Sequence, residues 1–112
     1  MNYYTQKNNA GSLNISENVF VQIANDSLSE LMKEELKNIV FLKNGNKQAK
    51  THCEIDKKNH IKVDVEVYLS ADCEAGKIST KIQKEIYDDI YDATEISAVK
   101  VNVIILGFIS KK

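Results

Sequence analysis

Residues Ile61 to Ser70 alternate without a break, with Ile61, Val63, Val65, Val67 and Leu69 in one phase and Lys62, Asp64, Glu66, Tyr68 and Ser70 in the other. Successive side chains of a strand point to opposite faces, so this run is a strand with one core face and one wet face. Some other part of the chain has to cover the core face. The stretch Val99–Ile109 starts in the same way, setting Val99, Val101 and Val103 against Lys100 and Asn102. It then runs apolar without interruption from Val103 to Leu106. A strand covered on both faces need not alternate, so its second half is expected inside the sheet or beneath a partner.

Two helical stripes supply the cover. Gly11 to Ile15 reads as a short strand, Ser16 as a helix N-cap, and Glu17 as an acid favoured in the first turn. The helix then runs from Glu17 to about Lys33, its stripe formed by Phe20, Ala24, Ser27, Leu28 and Leu31 and flanked by Val19 and Ile23. A second helix is expected from about Cys73 to Thr94, N-capped by Asp72, with Ala75, Ile78, Ile82, Ile86, Ile90 and Ala93 as its stripe. Between them, Leu36 to Leu42 suits a buried strand or a short helix and is read as a strand. Lys43 to Lys47 is a turn. Ala49–Ile55 and His60–Ser70 form a hairpin through Asp56–Asn59. The order β-α-(β)-β-β-α-β predicts an α+β two-layer sandwich, a mixed or antiparallel sheet covered by two main helices. Residues 1–10 read as a flexible N-terminal tail and residues 11–112 as a single domain.

The 112 residues suffice for one domain with one core. There is no apolar run near the ~20 residues of a membrane helix, and no basic segment followed by an apolar one at the start, so a cytoplasmic location without direct membrane insertion is expected. All 15 basic residues are lysines and the net charge is −1. Without arginine, bidentate reading of guanine or phosphate is lost, which argues against nucleic acid as a partner. His52, Cys53, His60 and Cys73 lack the paired spacing of a metal site. Cys53 and Cys73 are expected as free thiols, and Cys73, placed in the first turn of the second helix, is where a lowered thiol pKa would arise. No nucleophile elbow or phosphate loop is present. The expectation is therefore no catalytic residue, no metal and no cofactor.

One local rule is broken. In the second helix Lys77, Lys81 and Lys84 precede Asp88, Asp89, Asp92 and Glu95, an order that opposes the helix dipole at both ends. The acidic end with its tyrosines, Tyr87, Asp88, Asp89, Tyr91, Asp92 and Glu95, is the candidate surface for a basic protein partner. Ile104 and Leu106 are candidates for self-association, because a large bare apolar patch is unusual on a monomer.

Three stretches carry a resemblance. Gly11-x-Leu13-x-Ile15-Ser16-x-x-Val19 with Ile23-Ala24, then Ile82-Gln83 with Ile86, then Val101-Asn102-Val103-x-Ile105-x-Gly107-Phe108 resemble the alkaline-shock protein family. These are general-stress and envelope-stress proteins of Gram-positive bacteria. The chain departs from the family pattern in lacking Gly-Val near Leu31–Met32, in having Ala71–Asp72 for Tyr-Gly, and in having Glu95 where a glycine often ends the second helix. The resemblance implies a non-catalytic cytoplasmic interaction protein that tends to form homo-oligomers. It also implies a place at the inner membrane face through a membrane-anchored protein partner. The alternative it implies is a direct regulator of fatty-acid or acetyl-CoA carboxylase metabolism. A more distant alternative, an RNA-binding module with a KH-like layer, requires a Gly-x-x-Gly loop that this sequence lacks.

Overall fold

The computed structural model describes residues 2–110. Met1 of the expected tail and Lys111 and Lys112 of the expected domain lie outside the described residues. In chain order the elements are β1 (Tyr3–Asn8), β2 (Gly11–Ser16), α1 (Glu17–Lys33), β3 (Val40–Phe41), β4 (Lys43–Asn44), β5 (Lys47–Gln48), β6 (Thr51–Ile55), β7 (Ile61–Ser70), α2 (Ala75–Thr94) and β8 (Val99–Ile109). The fold class is the expected α+β sandwich, and its sheet is mixed. β7 is central: β6 and β3 pair antiparallel with it on one side, opposite its first and second halves, and β8 pairs parallel with it on the other. α2 makes the crossover that a parallel β7–β8 pair needs.

Both helices cover one face of this sheet. Phe20, Ala24, Leu28 and Leu31 of α1 and Ile82, Ile86 and Ile90 of α2 form a continuous core with Ile61, Val63, Val65, Val67 and Leu69. Each fully buried aliphatic side chain here contributes about 1.5–3 kcal/mol relative to exposure. The stripes are therefore where the helical spacing placed them, with two exceptions at their margins: Val19 and Ala93 face solvent.

The wet face of β7 is wet only along part of its length. Lys62, Asp64 and Glu66 keep access to water, but Tyr68 and Ser70 are buried. β3 explains part of this by pairing Phe41 with Tyr68. Gly107, opposite Tyr68 on the other side, adds room, since a Cβ there would lie 3.6 Å from the ring. The ring thus covers a strand glycine, an arrangement that compensates for its missing side chain.

Several local expectations need correction. Tyr3–Asn8, read as a tail, is a strand paired residue by residue with Gly11–Ser16 through a two-residue turn at Asn9–Ala10. Residues 6–14 are exposed throughout. An isolated hairpin is marginal in water, and this one is held at its base. Asn59, in the left-handed region at φ 65°, accepts the Thr5 N–H at 3.2 Å and donates to the Thr5 carbonyl at 2.7 Å, standing in for a partner strand. Leu36–Leu42 yields only the two residues of β3. Its first part is a turn in which Leu36 N–H returns to the Leu31 carbonyl at 2.7 Å, because the buried Leu36 closes the end of the core rather than extending the sheet. α2 begins at Ala75 with Glu74 in the N-cap position, so Asp72 is not its cap. Asp72 instead accepts a hydrogen bond from the buried Ser70 hydroxyl.

Candidate functional site

The acidic end of α2 separates into two sets of residues. Asp89 lies between the helices, where its Oδ2 accepts a 2.5 Å hydrogen bond from the buried Ser27 hydroxyl of α1. Tyr87 donates its hydroxyl to the Ser97 carbonyl at 2.6 Å and so ties the helix to the loop before β8. These two are held by the fold. Asp88, Tyr91, Asp92 and Glu95 lie toward solvent; Asp88 pairs with Lys84 at 2.9 Å, and Tyr91 is 47% exposed. Among the described residues neither Asp92 nor Glu95 is ion-paired. No base occupies the last turn of α2 and no acid its first, so the inverted charge order of the sequence survives in the folded helix.

Glu95 caps the helix in a left-handed conformation, φ 62° and ψ 15°, with its N–H on the Tyr91 carbonyl at 2.7 Å. Glycine meets this geometry without a Cβ clash, whereas a glutamate pays in backbone energy to put a charge there. Beside it lies an open cleft of about 430 Å³, walled by Tyr4, Gln6 and Leu13 of the hairpin and by Thr94 to Ala98. Tyr4 and Gln6 fall in the stretch expected as a tail and Leu13 in the expected short strand, so the pairing that brings them together is not anticipated from the sequence. The signal was the β-forming Tyr3-Tyr4-Thr5 ahead of the Asn- and Gly-containing turn 8–11.

The second candidate surface lies toward the other end of β8. Of the two expected placements, inside the sheet or beneath a partner, the first is corrected: among the described residues β8 is an edge that pairs with β7 alone. Its phase explains the apolar run, since Val101, Val103 and Ile105 turn to the helices and Ile104 turns away. Leu106 is an extra residue at a β-bulge, where Val67 faces Ile105 and Tyr68 faces Gly107. Ile104, Leu106 and Phe108 are exposed at 40%, 41% and 54%. The polar break Asn102 donates across the pair to the Asp64 carboxylate at 2.9 Å, a structural bond.

The thiols lie apart from these surfaces. Cys53 is half-buried on β6, and burial, followed by the nearby charges of Glu17, Asp64 and Glu54, pushes its pKa up to about 12. Cys73 precedes α2 and packs against the core, so it does not occupy the first-turn position expected from the sequence. Among the described residues no three His, Cys, Asp or Glu side chains gather as a metal site.

The order of elements and the closing strand coincide with the resemblance read from sequence. A family model for alkaline-shock protein 23, described by its cell envelope-related function, matches residues 5–109. The chain belongs to the alkaline-shock protein family. That match includes the hairpin strand from Thr5 onward, which the sequence resemblance left out. No curated protein and no solved structure matches the chain. The family is one of general-stress and envelope-stress proteins of Gram-positive bacteria, and its members are not enzymes. Among the described residues no helix is long and apolar enough to cross a membrane.

Proposed function

We propose that this chain is an interaction protein of cell-envelope homeostasis, a scaffold or modulator that acts through protein contacts at the inner membrane face and assembles with itself. Its attachment to the membrane runs through a protein partner. The observation that supports this reading is the solvent side of the α2 terminus, where Asp92 and Glu95 have no ion-pair partner among the described residues and stand beside the exposed Tyr91. Carboxylates at the negative end of a helix repel the dipole, so the fold gains nothing from them there. A basic segment of a partner would offset both the charges and the dipole, with Tyr91 supplying apolar and cation–π contact.

Affinity purification from cells, with and without lipid extraction, tests the proposal when the wild type is run beside an Asp92→Asn/Glu95→Gln double variant. The wild type is expected to recover a membrane-anchored protein with a basic segment, and the variant is expected to recover much less. Equal recovery by both would remove this surface from the binding site. Recovery of a soluble enzyme of the carboxylase system, with no membrane protein, would overturn the scaffold reading in favour of direct metabolic regulation.

A further inference from the structure

The two flanks of the main sheet treat their free edges differently. On β6 the backbone at Ile55 is closed off by side chains: its N–H donates to Glu17 Oε2 at 3.1 Å, and its carbonyl accepts from the Asn2 amide at 2.9 Å. The outward residues of β6, His52 and Glu54, are polar and exposed. On β8, among the described residues, the only side chain that reaches the backbone is Gln83, which donates to the Val101 carbonyl at 3.3 Å. From Val103 to Ile109 the edge has no such cover among the described residues.

Edges are ordinarily protected by charge, proline or a bulge that turns the strand away. This half of β8 contains no charged residue and no proline, and the residue inserted at its bulge is Leu106. A bulge also re-aims a side chain, and here it adds a leucine to the exposed Ile104 and Phe108 instead of hiding the edge.

We propose that the Val103–Ile109 half of β8 pairs antiparallel with the same half of a second copy across a two-fold axis, joining two sheets into one. The proposal rests on the self-association part of the reading above and names its interface. A second copy is favoured because the surface is self-complementary. Antiparallel pairing about a two-fold lays apolar half on apolar half and leaves Lys100 and Asn102 outside the seam. The β6 edge is less suited to this place, since the Ile55 backbone at its end is already occupied by Glu17 and Asn2 and its outward His52 and Glu54 are polar. A net charge of −1 gives little repulsion between copies. Seven residues give a seam of about 24 Å, a single pair of short strands, and an interface this limited should form and dissociate with concentration.

Sedimentation equilibrium over a concentration series on the full chain tests this, with Ile104→Lys and Leu106→Lys as edge variants and Leu13→Lys as an exposed control on the hairpin. Circular dichroism checks that each variant is folded. The wild type should pass from monomer to dimer, each edge variant should weaken the dimer about tenfold or more because the lysine occurs twice across the axis, and Leu13→Lys should match the wild type. Amide exchange on the wild type should slow at Ile104–Ile109 as concentration rises, a readout that survives even if a variant misfolds. A dimer indifferent to the edge lysines, with unchanged exchange on β8, would overturn the β8 seam and leave self-association standing. A wild type that stays monomeric throughout would overturn self-association itself.

Discussion

The flank of β7 that carries α1, β6 and the hairpin is fastened by polar side chains, whereas the flank that carries α2 and β8 leaves apolar and acidic groups open. On the first, Glu17, Asn2 and Asn59 each bond to backbone of a different element. On the second, Ile104, Leu106 and Phe108 are exposed along β8, and Asp92 and Glu95 beyond its start have no ion-pair partner among the described residues. Polar groups that satisfy buried backbone are spent on stability. Groups that satisfy nothing within the chain remain available to something outside it.

The contrast is broken most directly at Glu17. Glu17→Ala leaves the N–H of the fully buried Ile55 without a partner and should destabilise the fold by about 1–3 kcal/mol. Leu106→Lys on the open flank should change monomer stability by no more than about 0.5 kcal/mol. Chemical denaturation of both variants at a concentration where the chain is monomeric gives the comparison, and equal losses would abolish it. On the open flank Glu95→Gly should raise stability by about 1 kcal/mol, because glycine adopts φ 62° without a Cβ clash. A loss of stability there would mean that the glutamate side chain has a structural partner.

Asp89 and Asp92 divide the acidic helix end more finely. Asp92→Asn should stabilise by a few tenths of a kcal/mol by relieving the dipole, while Asp89→Asn should cost up to about 1 kcal/mol by weakening the charge-assisted bond from Ser27. Thermal melts of the two variants side by side would show whether the signs differ. A pH-dependent effect belongs to the fastened flank. The Cys53 thiol pKa rises from 9.0 to about 12 in the fold, so unfolded chains ionise first as pH increases. Stability is then whole below about pH 9 and is lost as pH climbs toward the folded value. Melting temperatures at about pH 8 and about pH 10 should show the wild type falling further than Cys53→Ala over the same interval.

The two helices and the long strands were legible in the residues because their apolar spacing survives any arrangement that buries one face. The hairpin and the short turn at Leu36 were not, since Asn59 and Leu36 come into place only once β6 and the end of α1 have been packed. Of the candidate site, the acidic stretch of α2 was visible as an inverted charge order. Its division into a bonded Asp89 and Tyr87 and an open Asp92 and Glu95 depended on where Ser27 and Ser97 fall across the fold.

What the sequence by itself determined was which faces had to be covered: β7 on one side, the stripes of α1 and α2, and an apolar second half of β8. Only the tertiary structure decided that β8 is an edge. A run such as Val103–Leu106 reports how many of its side chains are apolar, not how many neighbours its backbone has. The parallel crossover through α2 puts β8 on the outside of β7, and the bulge at Leu106 then turns part of that apolar run toward solvent.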